Sequence, residues 1–142
     1  MTLNIEKVYK KFQDIKLSLE RLRAFSSSSV EDFLTDQDQQ DIASFRLIVA
    51  TEAAIDLCLY VATNKLNQVP EEYASCFKLL GEAGLIDPLL SDRLVEMARF
   101  RNLLVHQYYK IDYSRLYQII TSPDIDDLEE FVRQIGLLIE NK

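Results

Sequence analysis

Apolar residues recur along this chain at three- and four-residue spacing, the period of a helix that buries one face. Ile5, Val8, Phe12, Ile15, Leu19 and Leu22 set that rhythm between charged residues and predict a first amphipathic helix over Leu3 to Phe25. The serine run Ser26 to Ser29 ends it, and Val30 to Thr35 reads as a connection. From about Asp36 to Leu66 the chain is apolar nearly all round, which predicts the longest helix and a central place for it. Val69-Pro70 predicts the start of a shorter helix, with proline in its first turn and Gly81 and Gly84 closing it. Asp87-Pro88 is a second cap-and-proline start, for a helix that runs to about Tyr109. Asp112 is placed to cap a short helix through Ile120. Ser122-Pro123 opens the last helix, from Asp124 to about Glu140, with Ile125, Leu128, Phe131, Val132, Ile135, Leu138 and Ile139 facing inward. No useful stretch alternates with period two, and no repeat of solenoid length occurs. The pattern predicts an all-α fold, an up-down bundle of about five to six helices forming a single domain over residues 1–142.

Composition narrows the setting. A chain of 142 residues can bury a core without metal or disulfide support. Cys58 and Cys76 both fall in apolar helical patterns and read as reduced core residues of a cytoplasmic protein; neither has a partner at metal-ligand spacing, so no metal site is expected. Met1 to Val8 carries charge and has no apolar core, so no signal peptide is expected. The most hydrophobic window, Leu47 to Ala62, is broken by Glu52 and Asp56 and falls short of the roughly 20 apolar residues a membrane span requires. The formal charge of −7 argues against binding long nucleic acids, DNA included, through a broad basic face, yet leaves room for a local grip on a few phosphates. The one locally positive segment is the first helix, with Lys7, Lys10, Lys11, Lys16, Arg21 and Arg23; these read as a solvated face.

Against that background one stretch stands out: Arg101-Asn102-Leu103-Leu104-Val105-His106-Gln107-Tyr108, which holds the only histidine of the chain. On a helical wheel Leu94, Met97, Ala98, Arg101, Val105 and Tyr108 share one stripe, and Asn102, His106 and Tyr109 share a neighbouring one. An arginine in the middle of an apolar face needs a partner or a function. Glu52 and Asp56, on one stripe of the long helix with Phe45, Ile48, Val49 and Leu59, are the expected buried ion-pair partners. Arg101 and His106 point about 140° apart on a regular helix, so one ligand can use both only through the reach of arginine, a distorted helix end, or two chains meeting at a shared cleft.

The run Arg101 to Tyr108 resembles the R-x4-H-x-Y signature of the HEPN superfamily, in its HepT toxin branch. The likeness continues in Phe45 to Val61, with its EAAID centre at Glu52 to Asp56, in Tyr73 to Leu90, and in Lys110 to Ile120. This resemblance implies a cytoplasmic all-helical homodimer acting as a metal-independent RNA endonuclease, with no cofactor. It also implies an adjacent nucleotidyltransferase antitoxin, MntA, that silences the toxin by transferring AMP to the motif tyrosine. By position, Arg101 and His106 match the catalytic pair, Asn102 the adjoining polar residue and Tyr108 the modified tyrosine.

The residue types suit that chemistry. RNA supplies its own nucleophile in the 2′-hydroxyl, so the protein has only to move protons and stabilise charge at phosphorus. Histidine titrates near neutrality, and arginine stays charged while holding two phosphate oxygens. The competing expectation is a non-catalytic helical partner of a nucleotidyltransferase, whose motif binds without cleaving.

Overall fold

The computed structural model describes residues 4–140, apart from the side chain of Tyr108. Among the described residues there are seven α-helices and no strand: α1 (Ile5–Arg23), α2 (Val30–Leu34), α3 (Gln37–Val61), α4 (Tyr73–Glu82), α5 (Pro88–His106), α6 (Tyr113–Thr121) and α7 (Asp126–Glu140). Short polar side chains start most of them. Asp87 Oδ2 accepts from the Leu90 amide at 3.1 Å, with Pro88 in the first turn, and Asp112 Oδ1 accepts from the Arg115 amide at 3.2 Å. Each satisfies an amide that the helix itself leaves unpaired.

The element beyond the predicted six is α2. Ser29 Oγ accepts from the Asp32 amide at 3.1 Å and starts one helical turn, which Phe33 anchors by complete burial. Two boundaries also move. Pro70 lies in the loop before α4, which begins only at Tyr73. This follows from the end of α3, which widens into a π-turn at Ala62–Leu66 and stops at Asn67, a residue in the left-handed region at φ 54°. The residues that follow carry the chain to α4. The helix α5 ends at His106 rather than near Tyr109, because Gln107 leaves helical geometry (φ −131°, ψ 43°) and Tyr108–Lys110 form a 3-10 turn.

The packing is that of a bundle: α1 lies along α3, α4 lies along α5, and α3 meets α5, α6 and α7. Phe33, Phe77 and Phe131 are fully buried, and the Phe77 and Phe131 rings meet edge to face at 5.4 Å. Gly81 lets α4 approach α5, since a Cβ there would lie 2.6 Å from both Cβ and Oγ of Ser91. The helix then closes on Gly84 at φ 75°, with the Leu85 amide donating to Leu80 at 2.9 Å and the Gly84 amide to Gly81 at 3.2 Å. That is the Schellman arrangement in which glycine supplies the left-handed residue.

Cys58 and Cys76 are both fully buried free thiols, and burial, reinforced by the neighbouring Cys76, pushes the Cys58 thiol up. Among the described residues no helix is long and apolar enough to cross a membrane.

The long helix carries the main revision of the predicted faces. Leu47, Ala50, Thr51, Ala54, Cys58 and Val61 form its buried side, while Phe45 is 57% exposed and Asp56 is exposed. The stripe of Phe45, Ile48, Glu52 and Asp56 is therefore exposed at Phe45 and Asp56 and half-buried at Ile48 and Glu52.

Candidate functional site

The site is built on the last turns of α5. That helix turns Leu90, Leu94, Met97, Ala98 and Leu104 into the core, and Arg101 falls within the same buried set, only 8% exposed. A guanidinium held so far from water needs acceptors, and two helices besides α5 contribute to its surroundings. Glu52 of α3 forms an ion pair with Arg101 Nη2 through Oε1, and its own side chain is half exposed. Asn102 Oδ1 accepts from Arg101 Nη1 at 3.0 Å. From the first residue of α4, the Tyr73 ring covers the guanidinium, its centroid 5.5 Å from Cζ. Cation–π contact of this kind stabilises a partly desolvated arginine. Of the guanidinium nitrogens, Nε is the one that is buried with no hydrogen-bond partner.

Of the two carboxylates expected to neutralise Arg101, the structure places Glu52 against it and sends Asp56 elsewhere. Asp56 Oδ2 pairs with Lys11 Nζ of α1 at 2.9 Å, with both side chains well exposed. The expectation that Asp56 is a buried partner is therefore corrected. Its position one turn beyond Glu52 lies on the outward stripe of α3, where α1 brings a lysine within reach. Exposed pairs of this type contribute little to stability.

His106 is the final residue of α5, exposed, with no hydrogen-bond partner among the described residues. Within one chain the structure thus brings together Arg101, Asn102, Glu52 and Tyr73, while His106 lies exposed one helical turn beyond Asn102, with no hydrogen bond to any of them. The helix stays regular through His106 and breaks only afterwards, so the break does not swing the imidazole toward Arg101. The reach of arginine, or a second chain, is what remains to join them. Tyr108 falls in the 3-10 turn, and the place of its side chain lies outside the described residues.

Tyr73 is the residue that sequence reasoning passed over. Its neighbours carry no pattern that marks it, and only the crossing of residues 67–72 places it beside Arg101. Among the described residues, no group of three or more His, Cys, Asp or Glu side chains could hold a metal ion.

Comparison with known proteins adds a second line of observation. A family model described as Ribonuclease HepT-like matches residues 15–135. The chain is 28% identical over 118 residues to the tRNA nuclease HepT of Aphanizomenon flos-aquae, covering 83% of this chain and 80% of that one. It is 26% identical over 125 residues to the mRNA nuclease HepT of Shewanella oneidensis, covering 88% of this chain and 92% of that one. Among solved structures, it superposes with a TM-score of 0.84 on the tri-AMPylated HEPN toxin of Shewanella oneidensis, determined in complex with MNT antitoxin. That match is at 25% identity and covers 92% of this chain and 97% of that one.

Proposed function

The chain belongs to the HepT-like ribonuclease family, and from that premise we propose that it is an RNA endonuclease toxin, silenced when a MntA-type nucleotidyltransferase antitoxin transfers AMP to Tyr108. The observation that carries this reading is the setting of R-x4-H-x-Y at the end of α5. Its arginine is nearly buried and clamped by Glu52 and Asn102, and its histidine is exposed at the surface.

In the proposed reaction the substrate's 2′-oxygen attacks the adjacent phosphorus. A 2′-O–P bond forms, the P–O5′ bond breaks, one proton leaves the 2′-hydroxyl and one arrives at the 5′-oxygen. His106 is assigned to proton transfer, since an imidazole serves as base or acid near neutral pH. Arg101 is assigned to the charge that grows on the non-bridging oxygens, using the N–H groups left on Nη1 and Nη2. Asn102 takes a supporting role through its bond to Nη1. No step calls on a metal ion.

Arg101 and His106 diverge within one chain, and Ile42 and Phe45 lie exposed along the outside of α3. Both features support a homodimer in which two copies of the motif face a shared cleft. A cytoplasmic location fits an RNA substrate.

Silencing follows from the same electrostatics. Attack of the Tyr108 phenol oxygen on the α-phosphorus of ATP releases pyrophosphate and leaves an AMP phosphodiester seven residues from Arg101 in the chain. Its negative charge competes for the guanidinium, and its nucleoside occupies the approach of RNA. The AMPylated relative bound to its antitoxin supports this assignment.

The test is RNA cleavage in the presence of a chelator. Wild-type protein is expected to cleave and His106→Ala to lose cleavage; prior incubation with the neighbouring nucleotidyltransferase and ATP should silence wild type but spare Tyr108→Phe. Cleavage by His106→Ala at the wild-type rate would refute the catalytic assignment.

A further inference from the structure

We propose, building on the ribonuclease reading, that Glu52 is a positioning residue: it holds Arg101 in the orientation that receives the scissile phosphate, and it does so by the place of its acceptor oxygen rather than by its charge. The argument begins with an imbalance. Arg101 is 8% exposed and its Nε is covered with no acceptor, an arrangement that disfavours folding. The Glu52 side chain is 47% exposed against 10% for Arg101, so only one partner of the pair is drawn away from water. A half-solvated acceptor is thus a weak structural reason to draw a guanidinium into the core.

The contacts do make sense as a cradle. Glu52 takes one hydrogen of Nη2, Asn102 takes one hydrogen of Nη1, and the Tyr73 ring covers one face. Rotation about the last side-chain bonds is thereby blocked from three sides by three elements of chain. Each terminal nitrogen keeps its second N–H, which is the pair of donors a phosphate accepts side by side. A guanidinium already fixed in this way loses little freedom when substrate arrives, and that is the condition for stabilising charge in the transition state.

Three substitutions separate position from charge. Glu52→Gln keeps an oxygen at the same reach without the charge, Glu52→Asp keeps the charge and shortens the reach, and Glu52→Ala removes both. Two readouts are taken on each: RNA cleavage, and the Arg101 Nε–H resonance in a nitrogen–proton correlation spectrum, assigned by its loss in Arg101→Met. Glu52→Gln is expected to keep cleavage within about threefold and to retain the resonance; Glu52→Asp and Glu52→Ala are expected to lose roughly tenfold or more in kcat/KM and to shift or broaden it. Glu52→Ala or Glu52→Asp cleaving like wild type, or leaving the resonance unmoved, overturns the proposal. So does a set of variants that fail to fold, since Glu52 would then be structural. If wild-type protein cleaves no RNA, the ribonuclease reading fails, while the resonance still decides whether Glu52 holds Arg101.

Discussion

Replacing Arg101 with methionine should leave the fold about as stable while abolishing cleavage. Methionine matches the arginine stem in length and is compatible with the apolar neighbours Met97, Ala98 and Leu104. The gain comes from the buried Nε, whose missing acceptor costs about 1–3 kcal/mol. Against it stand the ion pair with a half-exposed Glu52, about 0.2–1 kcal/mol, the contact with the Tyr73 ring, about 0.5–1 kcal/mol, and the hydrogen bond to Asn102, about 0.5–1.5 kcal/mol. The carboxylate left behind remains solvated, so it adds no large penalty of its own. The two sides cancel to within about 1 kcal/mol, equivalent to a change in Tm of no more than about 3 °C for a domain of this size. The assay is urea unfolding with wild type and variant at matched protein concentration, because self-association would shift both midpoints. A midpoint close to that of wild type, with an unchanged slope, is the expected result. A loss of more than about 1 kcal/mol would refute the reasoning, since it would make Arg101 a contributor to the fold rather than a group held at its expense.

Two further predictions concern the frame around the site. Gly81→Ala would place a methyl group 2.6 Å from Ser91 and force α4 away from α5, at a cost of about 1–3 kcal/mol in urea unfolding. Adding Ser91→Gly should recover most of that loss, and a single Gly81→Ala variant with the wild-type midpoint would contradict the close approach. Asp127 has its carboxyl held above the usual range by burial, although Arg93 Nε at 3.0 Å pulls the other way. The folded state therefore binds this proton more tightly than the unfolded state, and stability falls as pH rises from the ordinary carboxylate value through the folded one. Asp127→Asn, which mimics the protonated form, should compare more favourably with wild type at pH 7 than at pH 3 in thermal unfolding; a difference independent of pH would count against the burial effect.

Where a helix had one apolar face, spacing alone located it. In α7, Leu128, Phe131, Ile135 and Ile139 are buried as the wheel predicts, and Val132 and Leu138 pack half-buried beside them. The long α3 was harder, because it is apolar nearly all round and a wheel cannot say which stripe faces the core. Packing along α1 selects the side with Ala43, Ala50 and Ala54, and this turns Asp56 outward to Lys11. The short α2 had a readable signal in Ser29 placed three residues before Asp32, overshadowed by the serine run before it. Pro70 misled for a different reason: proline suits the first turn of a helix and also suits a loop, and the left-handed Asn67 decided for the loop. At the site, Arg101 and its need for a carboxylate were visible in the pattern. Tyr73 was not, since its role arises from tertiary placement and leaves no local trace.

The helical ladder of α5 ends at His106, and the following three residues form a turn of their own. Arginine and histidine are therefore carried by an element rooted in the core, whereas the tyrosine rides on a separate one. On the proposed function, an enzyme that engages the tyrosine has no helix to unwind, and the cradle formed by α3 and α4 around Arg101 stays closed throughout. Silencing then becomes a matter of occupancy alone. On that reading the attached group acts by where it sits, and its removal would restore the site without any refolding step.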